Sequence, residues 1–109
     1  MLLPQNATIA EEKLTRYLLV PLPKDDKSKF LAQAGYTISN WQQLEQDIRA
    51  QVLTQPAEPV ETTRYGQKYF IRACLCGQNG VELSVLTVWI MENSKTRFVT
   101  LVPDKGANL

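Results

Sequence analysis

From Tyr65 to Pro103 apolar and polar residues alternate in three runs, separated by two turn signals, and this third of the chain constrains the fold most. The runs Gln67–Leu75, Val81–Met91 and Thr96–Val102 read as consecutive antiparallel strands. Asn79-Gly80 is a strong hairpin signal, because a two-residue type I′ loop needs positive φ at both central positions. As the loop, this pair sets Gln78 opposite Val81. The second turn, Glu92-Asn93-Ser94-Lys95, sets Met91 opposite Thr96.

Side chains alternate across a strand, so these registers sort the residues into two faces. Tyr69, Ile71 and Ala73 then oppose Ile90, Val88 and Leu86, joined by Val99 and Leu101, on a face that should meet the helices. On the other face Arg72 opposes Thr87, Thr87 lies beside Thr100, and Phe70, Trp89 and Phe98 form an aromatic row. Arginine offers a planar fork of donors for phosphate, and threonine hydroxyls can reach a second phosphate oxygen. Aromatic rings stack on unpaired bases for roughly 1–3 kcal/mol each. Together these groups would make a small single-stranded RNA site. Thr–Thr and aromatic cross-strand pairs also stabilise ordinary sheets, by about 0.2–1 kcal/mol each, so the working surface and the plain solvated face both stay open. An exposed Phe–Trp–Phe row calls for a cover: the connector, the N-terminal segment or another chain.

The N-terminal half reads as helical. Thr8-Ile9-Ala10-Glu11 fits a capping box, and Ala10, Leu14, Tyr17 and Leu18 recur at helical spacing before Pro21 and Pro23 stop the helix. Asp25 or Asp26 is a natural cap for a short second helix carrying Phe30, Leu31 and Ala34, with Gly35 at its C-terminal end. Ser39 or Asn40 caps a third, whose stripe is Trp41, Leu44, Ile48 and Val52, with Glu45 and Arg49 placed to pair. Gln55 to Thr63 is a connector rich in proline and acid. The expected fold is therefore α+β: two or three N-terminal helices packed on one face of an antiparallel three- or four-stranded β-meander, residues near Thr62–Tyr65 adding the fourth strand.

A chain of 109 residues, 44% of them hydrophobic, suits a single domain over 1–109, with a helical half 8–55, a sheet half 62–103 and a short tail 104–109. The net charge of +1 argues against a strongly cationic nucleic-acid binder and leaves room for a local basic patch. No apolar run approaches the roughly 18 residues of a membrane span, and the N-terminus lacks the features of a signal peptide, so a cytoplasmic protein is expected. The absence of histidine removes Ser-His-Asp and Cys-His catalysis and leaves lysine or tyrosine to move protons. Cys74 and Cys76, two apart on one strand, are poorly placed to bridge and too few for a zinc site; they read as small apolar fillers. No metal and no cofactor is expected.

The ordered pieces Lys27-Ser28-Lys29-Phe30, Ala34-Gly35-Tyr36, Asn40-Trp41-x-x-Leu44, Tyr65-Gly66-Gln67-x-Tyr69, Gly77-x-Asn79-Gly80, Thr87-Val88-Trp89 and Val99-Thr100-x-x-Pro103 resemble a bacterial domain-of-unknown-function family, over about residues 2–103. Its members look like the cargo domains of toxin and conflict systems. The helices-then-meander layout and the Thr100-x-x-Pro103 ending are similar to the Barnase–EndoU–Colicin–RelE ribonuclease superfamily. The resemblance implies Thr87 and Thr100 as site residues and adds Lys27 as a site lysine. Many better-known members use histidine, from which this chain departs. The leading expectation is an RNA-directed, toxin-type domain, a metal-independent endoribonuclease if active. Arg72 would meet phosphate charge, Thr87 and Thr100 would orient, Lys27 would move a proton or touch phosphate, and Trp89, Phe70 and Phe98 would hold bases. The alternative is a non-catalytic module that uses the aromatic face to bind a cognate protein or a second copy of itself.

Overall fold

The computed structural model describes residues 1–104; of the expected tail, 105–109 lie outside the described residues. The fold is α+β. Four antiparallel strands, β1 (Glu58–Thr63), β2 (Gly66–Cys76), β3 (Glu82–Glu92) and β4 (Lys95–Pro103), lie in the order β1-β2-β3-β4. Three helical segments precede them. α1 (Glu11–Lys13) widens into a π-helical stretch, Leu14–Leu18; α2 spans Ser28–Ala32; α3 (Trp41–Asp47) starts from a 3-10 turn and ends in a π-helical stretch, Ile48–Val52.

The α3 stripe forms as its spacing predicts: Leu44, Ile48 and Val52 are fully buried, and Trp41 packs at the core margin. Asn40 holds the N-cap position of α3, as expected, but makes no side-chain cap there; its side chain instead closes a reciprocal box with Thr37, the cap of the preceding 3-10 turn. Glu45 and Arg49 pair at 3.2 Å, and Arg49 reaches on to the Ala7 carbonyl at 2.7 Å. α1 starts only at Glu11 with Ala10 at its N-cap position, so it has no side-chain cap and the expected box from Thr8 does not form; Thr8 lies in the extended segment before it. The Thr8 N–H donates to the Thr96 carbonyl and its carbonyl accepts from the Phe98 N–H, each at 2.8 Å, which lays the N-terminal segment along the edge of β4. The Asp26 carboxylate accepts from the Ser28 amide and hydroxyl at the start of α2, and Gly35, at φ +87°, ends that turn.

The sheet corrects the expected register. Gly77 and Val81 close the β2–β3 hairpin, the Gly77 N–H donating to the Val81 carbonyl at 3.0 Å, so the loop has three residues, Gln78-Asn79-Gly80. Only Gly80 takes positive φ among them, +84°, as in a type I turn with a following left-handed residue. One extra loop residue slips the pairing by one and turns all of β3 over relative to β2. Tyr69 pairs with Trp89, Ile71 with Thr87, Ala73 with Val85 and Leu75 with Leu83. These residues form the inner face, against the helices.

Leu86, Val88 and Ile90, expected against the helices, instead lie on the outer face with Phe70 and Arg72. The second hairpin keeps Met91 opposite Thr96, as predicted, but the register shifts after Trp89–Phe98, leaving Val99 as an extra residue in β4. Beyond this bulge Thr100 pairs with Val88 and Leu101 with Thr87.

Candidate functional site

The slip and the bulge separate the residues that the sequence places together. Thr87 is fully buried; its Oγ1 donates to the Ile71 carbonyl at 3.0 Å and accepts from Trp89 Nε1 at 2.7 Å. Trp89 and Phe98 pack edge to face in the core with ring centroids 5.2 Å apart, so neither ring offers a surface to a base. Phe70 stays on the outer face, half-buried and apart from them. Arg72 also stays there, but its guanidinium donates to the buried carboxylate of Asp104 at 2.7 Å. The expected row of Phe70, Trp89 and Phe98 and the cluster of Arg72, Thr87 and Thr100 therefore do not form. A three-residue loop where two were expected, and a bulge with no marker in sequence, account for both corrections.

Lys27 and Thr100, however, do come together. The bulge at Val99 opens a cavity of about 380 Å³ between β4, α1 and the segment that leads into α2. α1 supplies Lys13 and Tyr17, four residues apart and so on one helical side, with the Lys13 ammonium 5.8 Å from the Tyr17 ring centre. The turn after Pro23 supplies Lys24, Asp25 and Lys27, with Asp25 held at φ +57°. β4 supplies Val99 and Thr100. Three lysines thus line one cavity with a single aspartate, and among the described residues none of the three is in an ion pair.

Such a lining favours an anion. Ammonium groups are compact point charges with rotatable donors, and a threonine hydroxyl and a phenol add neutral donors beside them. Nearby, hydrogen bonds from the Ser28 side chain and amide hold the Asp26 carboxyl below the usual carboxylate range, which keeps the start of α2 anchored. Lys13, Tyr17 and Lys24 are site residues that the sequence does not single out. The i, i+4 spacing of Lys13 and Tyr17 is a visible signal, but the same periodicity places Tyr17 in the apolar stripe, whereas it is 56% exposed.

Cys74 and Cys76 are not apolar fillers: both are free and exposed on the outer face. Desolvation by neighbouring groups, then the charge of Glu82, pushes the Cys74 thiol up, which makes it a weak nucleophile. Among the described residues no group of three or more His, Cys, Asp or Glu side chains is placed to hold a metal ion, and no helix is long and apolar enough to cross a membrane.

The model of one family, a domain of unknown function (DUF6883), matches residues 3–105. The chain belongs to this family. No curated protein and no solved structure matches it. The segments that build the cavity of this DUF6883 domain, α1, the turn into α2 and the bulge of β4, all fall within the matched span.

Proposed function

We propose that this DUF6883 domain is RNA-directed and holds a backbone phosphate of single-stranded RNA in the cavity of Lys13, Lys24, Lys27 and Thr100. The observation that carries the reading is the concentration of three lysines in one concave site of a chain whose net charge is only +1. A diffuse cationic surface would give non-specific attraction; a lysine-lined cavity with a threonine donor gives a place for one phosphate. The resemblance in sequence to toxin-type ribonucleases supports the same direction and extends it to a metal-independent endoribonuclease. In that reaction the lysines would stabilise the charge that develops on the phosphorane oxygens, and Lys27 or Tyr17 would move the proton in place of the absent histidine. Thr100 would orient the phosphate. Arg72, Thr87, Trp89 and Phe98 have no part in it, being ion-paired or buried.

Fluorescence anisotropy with a labelled single-stranded RNA, together with gel analysis of the same RNA for cleavage, tests the proposal. Lys24→Ala and Lys27→Ala should each weaken binding, and Lys13→Ala/Lys24→Ala/Lys27→Ala should abolish it at moderate salt with an unchanged melting temperature. Equal binding by the wild-type and triple-alanine proteins would remove the cavity from the mechanism. No binding by the wild type, even at low salt, would remove RNA altogether.

A further inference from the structure

The outer face of the sheet is a second surface, which adjoins the lysine cavity at Thr100, the cross-strand partner of Val88. Val88 and Ile90 are each only 8% exposed, yet neither belongs to the core cluster against the helices. They form the floor of an apolar patch completed by the partly exposed side chains of Phe70, Leu86 and Val102. Among the described residues no helix packs there. On one side the Lys68 ammonium lies over the patch, 5.9 Å from the Phe70 ring centre.

The charges around the patch indicate what covers it. Along one level of the sheet, Glu61 pairs with Lys68, Lys68 with Ile90 and Ile90 with Arg97. One edge of the face carries acid, Glu58 and Glu61, the latter held by Lys68 of β2 at 3.4 Å with 61% of its side chain still exposed, and the opposite edge carries base, Arg97. Two copies stacked face to face about a two-fold axis parallel to the strands place β1 of each over β4 of the other, at the same level. Glu61 then meets the partner's Arg97, and Phe70 meets the partner's Val88. An axis across the strands would instead stack β1 on β1 and oppose Glu58 and Glu61 to their own copies, which like charges disfavour.

We infer that the outer face is the interface of a symmetric homodimer, closed by Phe70, Val88 and Ile90 and oriented by Glu61 against the partner's Arg97. Isologous contacts of this type need a self-complementary patch, which the acid-to-base arrangement supplies. Strand and residue spacings give the face roughly 20 by 25 Å, on the order of 500 Å² in projection. Two such faces bury about 1,000 Å² together, below the roughly 1,200–2,000 Å² of stable interfaces, so the dimer should come apart on dilution.

Sedimentation or light scattering of the full chain over a wide concentration series tests this. The expected result is a mass approaching twice the 12.4 kDa chain at high concentration and falling on dilution. Val88→Glu should leave a monomer at every concentration. Glu61→Arg and Arg97→Glu should each weaken dimerisation by about tenfold or more, and the two together should restore it. Those positions are exposed, so they keep the test open if Val88→Glu fails to fold. Cys74 and Cys76 lie on the same face and supply a readout without mutation: their alkylation should be slower in concentrated protein than in dilute protein. A wild type that stays monomeric at the highest concentration, or a double charge swap as weak as the single ones, overturns the inference.

Discussion

Gly77 lies against the carbonyl of Ala34 so closely that a β-carbon at position 77 would overlap its oxygen. The tip of the β2–β3 hairpin is thereby seated on the end of α2. Asn79 reinforces the contact, its side-chain amide donating to the Gln33 carbonyl at 3.1 Å. Gln51 clamps the backbone next to Gly77, accepting from the Cys76 N–H at 2.7 Å and donating to its carbonyl at 3.1 Å. Gly77→Ala should accordingly cost about 2–4 kcal/mol, because backbone on both sides must move. Gly80→Ala is the control. Its β-carbon would have open space, so only the positive φ is strained, for about 1 kcal/mol. Denaturant titration of both variants checks the order; equal costs would mean that the seat is not rigid.

The Thr87–Trp89 hydrogen bond should behave as a buried unit. Thr87→Val keeps the shape of the side chain but leaves the indole N–H without a partner, at a cost of about 1–3 kcal/mol. Trp89→Phe removes that donor along with aromatic area. In the double variant the orphaned donor no longer exists, so the two losses should fall short of additive by about 1 kcal/mol. A strictly additive cycle would show that the bond contributes nothing beyond packing.

The class of the fold is legible in the sequence because it rests on periodicity. The α3 stripe and the alternation within β2 both appear where the pattern places them. What alternation cannot supply is the phase between two strands. Asn79-Gly80 reads equally well as the centre of a two-residue loop and as the end of a three-residue one. The choice is made by Gly77, whose fit against Ala34 is a tertiary contact. β3 has apolar residues on both faces, so its composition does not reject the wrong phase; Thr87 and Trp89 satisfy each other inside the core, where a lone threonine would be costly. The bulge at Val99 follows no local signal at all, yet it opens the cavity that joins Lys27 to Thr100.

Tyr36 ties stability to alkaline pH. It is 1% exposed, and its hydroxyl lies 2.5 Å from an Asp47 carboxylate oxygen and 3.2 Å from the Cys76 carbonyl. Its single proton goes to the nearer carboxylate. Burial, then the hydrogen bond to Asp47 and the negative charge of that group, raises the phenol far above its ordinary value of 10.0. Below that value both folded and unfolded chains hold the proton, and the interaction contributes in full. Above it the unfolded chain releases the proton while the folded chain keeps it, so stability falls as pH rises. The slope from this one group is at most about 1.4 kcal/mol per pH unit. Melting curves between pH 8 and about pH 11 should be steeper in pH for wild type than for Tyr36→Phe, which starts less stable. Parallel curves would sever Tyr36 from the effect.

Salt dependence separates the lysine cavity from the residues on the sheet that the sequence favours. Each phosphate contact by a lysine adds about 0.7 to the slope of log affinity against log salt for a single strand. Lys24→Ala and Lys27→Ala should therefore each lower both affinity and slope, the slope by about 0.7 if the contact is complete. Thr100→Ala should lower affinity with the slope unchanged, because a neutral hydroxyl displaces no counterion. Arg72→Ala is the discriminating control. Its guanidinium is committed to Asp104, whose side chain is only 6% exposed, so its loss leaves a carboxylate partly desolvated and unpaired. Because Arg72 itself is 53% exposed, the penalty should be modest, about 1 kcal/mol in stability, and RNA affinity and slope should stay at wild-type values. A fall in slope with Arg72→Ala and none with the lysine variants would move the phosphate from the cavity to the outer face of the sheet.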